Sequence, residues 1–220
     1  MNTSCIRLSE NVMMKIYDIS HTVCEGMTVW PGDPEFRLRR ITQIRKGESS
    51  NVSAFEIGTH TGTHVDAPLH LDDNSADVAS MPLRNFLGPV RVFSIEAEGS
   101  IRVADLQKLD WRGVERALFK TRAARIRESS FDPDFACLDE EAAAFLVSRR
   151  ILLVGIDTPS VDAFSSKTLP VHRKLLNHGI AILENARLDE VPPDDYELLC
   201  LPLKLDGLDG SPVRAILSRE

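Results

Sequence analysis

Residues 60–70, His-Thr-Gly-Thr-His-Val-Asp-Ala-Pro-Leu-His, leave the backbone few paths. Three of the chain's six histidines and an aspartate fall within this stretch, separated by small and β-branched residues and one proline. On a helix, His60 and His64 would share a face, but Asp66 would point roughly 200° away from His64 at 3.6 residues per turn. On a strand, His60, His64 and Asp66 all face one side. A straight strand, however, would hold the two histidine Cα atoms roughly 13 Å apart at about 3.3 Å per residue. His64 and Asp66, two positions apart, meet a common ion easily. The expectation is therefore a strand running into His60 that bends near Gly62, where glycine admits a tight turn or bulge, and brings His60 back towards the other two.

Imidazole nitrogens and a carboxylate at this density, with no cysteine among them, suit Zn²⁺ or a neighbouring divalent ion. A lone histidine in such a stretch would be an ordinary polar residue; His60, His64, Asp66 and His70 together are not. A metal that keeps an open coordination position turns water into a nucleophile near neutral pH, so the first reading is a metallohydrolase. Competing motifs are missing. Gly58 and Gly62 have the spacing of a nucleophile elbow, but His60 stands where its serine would be. Neither a Walker A sequence nor GxGxxG occurs.

A chain of 220 residues has room for one sizeable domain with its own core. We expect a single catalytic domain over 14–220 and a poorly ordered extension over 1–13, with Met13 or Met14 as alternative starts. A net charge of −7 argues against nucleic acid as a partner, since such proteins present a basic face. No apolar run is long enough to span a membrane, and the N-terminus lacks a charged-then-apolar signal pattern. Cys5, Cys24, Cys137 and Cys200 are scattered without paired spacing, which reads as reduced thiols in a cytoplasmic protein.

Apolar alternation marks strands near 36–44, 51–58, 89–96, 114–120, 151–156, 180–184, 196–203 and 212–217. Asp139 is placed to cap a helix through Ala142-Ala-Ala-Phe-Leu-Val147 that ends at Arg149-Arg150. Pro170 opens a second, from Val171 to about Asn177, closed by Gly179. Strands outnumber helices and the second half alternates the two, which fits an α/β domain with a mixed sheet.

One strand and its turn rarely supply a whole binuclear site. His172, on the short helix, and Glu184, at the carboxyl end of a strand, are the candidates to complete it. Spacing alone favours an ordinary surface role for each. His178 near a helix C-terminus needs no ligand role, and nothing around His21 demands chemistry. Trp30-Pro-Gly-Asp-Pro34 is a rigid turn that presents a tryptophan, whose flat face would suit an aromatic substrate.

With these residues in place, the chain resembles the metal-dependent cyclase-like family, and within it the bacterial-type kynurenine formamidases (arylformamidases). HTGTHVDAPLH matches the family's HxGTHxDxPxH motif. The agreement runs from Tyr17-Asp-Ile-Ser20 to Ser211-Pro-Val-Arg214 through Trp30-Pro-Gly-Asp33, Gly155-Ile-Asp-Thr-Pro-Ser-Val-Asp162, Ser166-Lys-Thr168, Ala181-Ile-Leu-Glu184 and Asp195-Tyr-Glu-Leu-Leu199. The resemblance implies two divalent ions per subunit, Zn²⁺ foremost with Mn²⁺ or Co²⁺ as alternatives. His60, His64 and Asp66 would hold one; Asp66 and Glu184 would bridge to a second, completed by His172. It further implies His70 as proton donor and acceptor, Trp30 against substrate, and hydrolysis of N-formyl-L-kynurenine to L-kynurenine and formate in tryptophan degradation. The implied fold is a three-layer β/β/α, swivelling-domain-like arrangement with a mixed sheet and an antiparallel sheet, and the implied assembly is a homodimer.

Two rival readings share the motif. A cyclic-amide hydrolase of the isatin-hydrolase kind would use the same metal chemistry. A non-catalytic, metal-stabilised binding module would use the ligands but has no need of His70.

Overall fold

The computed structural model describes residues 14–97, 99–122 and 131–219; the expected N-terminal extension lies outside them. Thirteen strands are found among the described residues: β1 (Lys15–Asp18), β2 (Arg37–Thr42), β3 (Val52–Glu56), β4 (His64–Asp66), β5 (Leu87–Ser94), β6 (Ser100–Ile101), β7 (Arg116–Lys120), β8 (Cys137–Leu138), β9 (Leu153–Ile156), β10 (Ala181–Glu184), β11 (Asp195–Leu199), β12 (Gly210–Pro212) and β13 (Ile216–Arg219). The helices are α1 (Val103–Leu106), α2 (Glu140–Ser148) and α3 (Pro170–Leu176). No described helix is long and apolar enough to cross a membrane.

Nine strands form one mixed sheet in the order β1-β13-β11-β5-β7-β9-β10-β4-β12. Its centre, β5-β7-β9-β10, is parallel, and both flanks are antiparallel. The α/β class with a mixed sheet is as expected. The separate antiparallel sheet is not: most of the antiparallel pairing belongs to the flanks of the same sheet, and β2–β3 forms a detached hairpin. A third, two-stranded sheet pairs β6 with β8 in parallel.

Chain connectivity forces this sheet to curl into a half-barrel. β12 is one edge and β13 lies next to the other, so a flat sheet would put them roughly 34 Å apart at about 4.8 Å per strand. Only Val213, Arg214 and Ala215 join them, a link that reaches about 14 Å when fully extended. The expected single strand over 212–217 is thus two strands on opposite ends of the curl. Bonds across the gap hold it: Val213 N–H donates to Thr63 O at 2.9 Å and Ile19 N–H to Ala215 O at 3.0 Å.

The pleat divides the core. Leu118, Leu153, Leu183, Val65, Leu198 and Leu217 pack inside the curl. Their alternates Ala117, Phe119, Val154, Ile156 and Ile182 face outward beneath the helices, against Leu106, Leu146, Val171 and Leu175. Asp139 caps α2 as its position predicts, its Oδ1 accepting Ala142 N–H at 2.7 Å. Pro170 occupies the first turn of α3, and Gly179 leaves that helix with φ +72°. Apolar alternation does not mark β4, because three residues are too few to show a period; the spacing of His64 and Asp66 is what points to a strand there.

Candidate metal centre

β4 sits between β10 and β12, and register decides what it presents. His64 lies opposite Glu184, and Asp66 is two residues along on the same face, while Val65 points into the inner core. The segment before β4 is a turn, with Gly62 at φ +65°. This left-handed conformation strains any residue with a β-carbon. It folds the chain back so that His60 Nδ1 stands 2.9 Å from Asp66 Oδ1, the return that the spacing predicted. His60 lies against β12: a β-carbon on Gly210 would meet His60 Cε1 at 3.0 Å and Val65 O at 2.8 Å, so only glycine fits there.

α3, in the crossover between β9 and β10, lowers His172 onto the same place. His64, Asp66, His172 and Glu184 are all buried. His64 Nδ1 is 2.9 Å from Gly62 O; a carbonyl only accepts, so Nδ1 carries the proton and Nε2 the lone pair. That lone pair faces Asp66 Oδ1 at 3.5 Å and Glu184 Oε2 at 3.4 Å. His172 repeats the arrangement. Its Nδ1 donates to Asp162 Oδ2 at 2.7 Å, which turns Nε2 towards Asp66 Oδ2 at 3.4 Å and Glu184 Oε1 at 3.2 Å. His64 Nε2 and Asp66 Oδ2 have no hydrogen-bond partner among the described residues although both are buried. Acceptors facing acceptors in a dry interior are costly unless positive charge lies between them.

The donor set therefore fits cations. His60, His64 and Asp66 form one group able to hold an ion, and Asp66, His172 and Glu184 form another. The carboxylates otherwise draw protons to the site. Burial works against a charged imidazole at His60, but Asp209 and Asp66 prevail and raise its pKa to about 10. At His172, burial is likewise overcome by Glu184, Asp162 and Asp66, and the pKa rises well above its usual value. Burial favours the neutral acids, yet the surrounding histidines hold Asp66 well below the carboxylate range and Glu184 below it. A divalent ion answers the same negative charge and exchanges for those protons.

Two positioning carboxylates escaped the reading of the sequence. Asp162 accepts His172 Nδ1–H as well as the backbone N–H groups of Val171 (3.1 Å) and His172 (2.9 Å), which fixes the first turn of α3 and its ring together. Asp209, on the turn before β12, takes His60 Nε2–H at 2.8 Å and approaches His70 Nδ1 at 3.6 Å. Asp162 falls in a stretch that carried the family resemblance, so a signal existed. Asp209 had none, because its place depends on β12 pairing with β4.

His70 ends a short 3₁₀ turn, Pro68–His70, and is half-buried. Its ring centroid is 4.3 Å from that of His60 and 5.8 Å from that of His172. Burial pushes its pKa below the usual imidazole value. His60, His64, His172 and Glu184 line a cleft of about 1010 Å³, and His70 and Trp30 line it too. Trp30 meets Phe131, Phe135 and Phe164 at centroid distances of 5.3, 6.1 and 5.1 Å, which makes one wall aromatic. His178 bonds only its own helix, through Lys174 O at 2.7 Å, as its position suggested.

Comparison with known proteins agrees with this geometry. Residues 17–163 match the family model described as "Putative cyclase". Over 204 residues the chain is 43% identical to the kynurenine formamidase of Geobacillus thermodenitrificans (strain NG80-2), covering 92% of this chain and 96% of that protein. A solved structure described as a "predicted metal-dependent hydrolase from Bacillus stearothermophilus" superposes with a TM-score of 0.82 at 32% identity, over 94% of this chain and 99% of that one. Isatin hydrolase A from Labrenzia aggregata shares the fold, with a TM-score of 0.80 at 24% identity over 93% of both chains. The chain belongs to the cyclase family of metal-dependent hydrolases and, within it, to the kynurenine formamidases.

Proposed function

We propose that the chain hydrolyses the formamide of N-formyl-L-kynurenine, releasing formate and L-kynurenine. The observation that carries this reading is the convergence of buried, mutually unsatisfied histidine and carboxylate acceptors at the floor of an aromatic-walled cleft. His60, His64 and Asp66 would hold one divalent ion and His172 another, with Asp66 and Glu184 reaching both because each carboxylate has two oxygens. Zn²⁺ suits this set best, and Mn²⁺ or Co²⁺ would also be accepted. Divalent ions held by these residues would supply a water ionised near neutral pH and positive charge for the developing oxyanion.

The remaining work falls to side chains. Trp30 offers its indole to the aryl ring. The depth of the cleft keeps bulk water from the carboxylates. His70, its pKa lowered by burial and its Nδ1 leaning towards Asp209, takes a proton at Nε2 and returns it to the aniline nitrogen, which otherwise leaves poorly. Asp209 and Asp162 hold His60 and His172 in the tautomers that direct a lone pair inward. We further propose a homodimer in the cytoplasm; the reduced Cys24, Cys137 and Cys200 suit that compartment.

The test is to follow release of the free aniline from N-formyl-L-kynurenine by metal-loaded protein, with a chelator-treated control and isatin as the competing substrate. Chelator-sensitive turnover of the formamide supports the assignment. Turnover of isatin instead would transfer it to cyclic amides, and metal-stabilised protein that cleaves neither would be a binding module.

A further inference from the structure

The cleft is acidic apart from its histidines: Asp33, Asp132, Asp134, Glu184 and Asp209 all line it. These carboxylates suit the ammonium of a zwitterionic amino-acid arm, but they repel its carboxylate, which needs a cation. Two cations line the cleft among the described residues, Arg122 and Lys167. Arg122 is already engaged by another group. Lys167 is exposed and makes no hydrogen bond or ion pair with any described residue.

The loop that carries Lys167 is held firmly. Ser166 Oγ accepts Leu169 N–H at 3.2 Å, and Arg173 Nε–H donates to Thr168 O at 2.9 Å. Leu169 adopts φ +47°, a conformation that residues with a β-carbon seldom take, as the loop turns sharply into α3. The same loop sends Phe164 against Trp30, and the helix it enters carries His172. One rigid segment thus sets an aromatic wall, a free ammonium and a metal ligand around a single space. With its backbone held and no ion pair to break among the described residues, Lys167 has only its own side chain to order when it meets an anion.

We infer that Lys167 is the specificity residue for the substrate's α-carboxylate: its ammonium seats the carboxylate end of the zwitterionic amino-acid arm while the aryl formamide lies between Trp30 and the metal ligands. The inference rests on the formamidase reading above and deepens it. It makes the enzyme selective for aryl formamides bearing an amino-acid arm over those that lack one.

The experiment compares two substrates with the wild type, Lys167→Met and Lys167→Arg, all metal-loaded. N-formyl-L-kynurenine carries the amino-acid arm; 2′-formamidoacetophenone has the same ring and ortho ketone without it. The expected result is a roughly tenfold fall in the kcat/KM ratio of the first substrate to the second in Lys167→Met, on the scale of one charge-assisted hydrogen bond. The fall should reside in KM and be largely restored by Lys167→Arg. A ratio unchanged in Lys167→Met, or a loss shared equally by both substrates, overturns the inference. Wild-type protein that cleaves only the truncated substrate also overturns it while leaving the formamidase chemistry in place. Failure to cleave either overturns the functional reading itself.

Discussion

Asp162 is asked to do two jobs, and Asp162→Ala separates them. The carboxylate accepts three hydrogen bonds in a buried setting, two from backbone N–H groups in the first turn of α3 and one from His172 Nδ1. Losing the backbone pair amounts to removing a helix cap, about 1 kcal/mol. Leaving the imidazole N–H unpaired in the interior adds about 1–3 kcal/mol, so chelator-treated variant should be less stable by roughly 2–4 kcal/mol. Independently, His172 loses the group that fixes its tautomer and ring angle, which lowers metal affinity by about 10- to 100-fold. Asp162→Asn should fall between. One orientation of the amide turns its NH₂ towards Val171 N–H, and the other turns it towards both donors of His172. Chemical denaturation of the metal-free protein measures the first effect, and competition with a chelator of known affinity measures the second. If stability drops as calculated while metal affinity stays within about twofold of wild type, Asp162 is only a helix cap and the argument for a positioned ligand fails.

Three further outcomes are expected. His70→Ala should lower turnover of the formamide by about 100- to 10,000-fold with metal content intact; loss of metal would make His70 a ligand instead. Gly155→Ala should destabilise by about 1–3 kcal/mol, because the added β-carbon lands 2.2 Å from Leu118 Cδ2 in the fully buried centre of the sheet. Pairing it with Leu118→Val should cost less than the sum of the two changes, and additivity in denaturation would contradict the clash. Burial pushes the Cys200 thiol up to about 12, whereas an unfolded cysteine ionises near about 8.5. Above that lower value the unfolded chain gives up its proton and the folded chain does not. The contribution is fully present below pH 8.5 and is lost at about 1.4 kcal/mol per pH unit between there and the folded pKa. Stability measured at pH 7.5 and 9.5 should fall less in Cys200→Ala than in wild type.

Much of the centre was legible in residues 60–70 because strand geometry is local. A two-residue repeat puts His64 and Asp66 on one face, and a glycine where the path must bend explains how His60 rejoins them. The helices at 139 and 170 were readable for the same reason: a cap and a first-turn proline act within a few residues. His172 and Glu184 were weaker. Only the resemblance lifted them above ordinary polar residues, and the register that sets Glu184 opposite His64 is a pairing between strands more than a hundred residues apart.

Taken alone, then, the sequence determined the chemistry of the ligand set, the bend at Gly62, the α/β class and the family. Each depends on residue types and on backbone geometry over a few positions. Tertiary structure decided that most of the expected antiparallel pairing joins the mixed sheet as its flanks, since three residues between β12 and β13 close the curl only after the whole sheet exists. It decided which carboxylates hold the ligands, drawing Asp162 to His172 and Asp209 to His60 from 10 and 149 residues away. It also brought Lys167 to the mouth of the same cleft, because long-range strand order carries no signature in local composition.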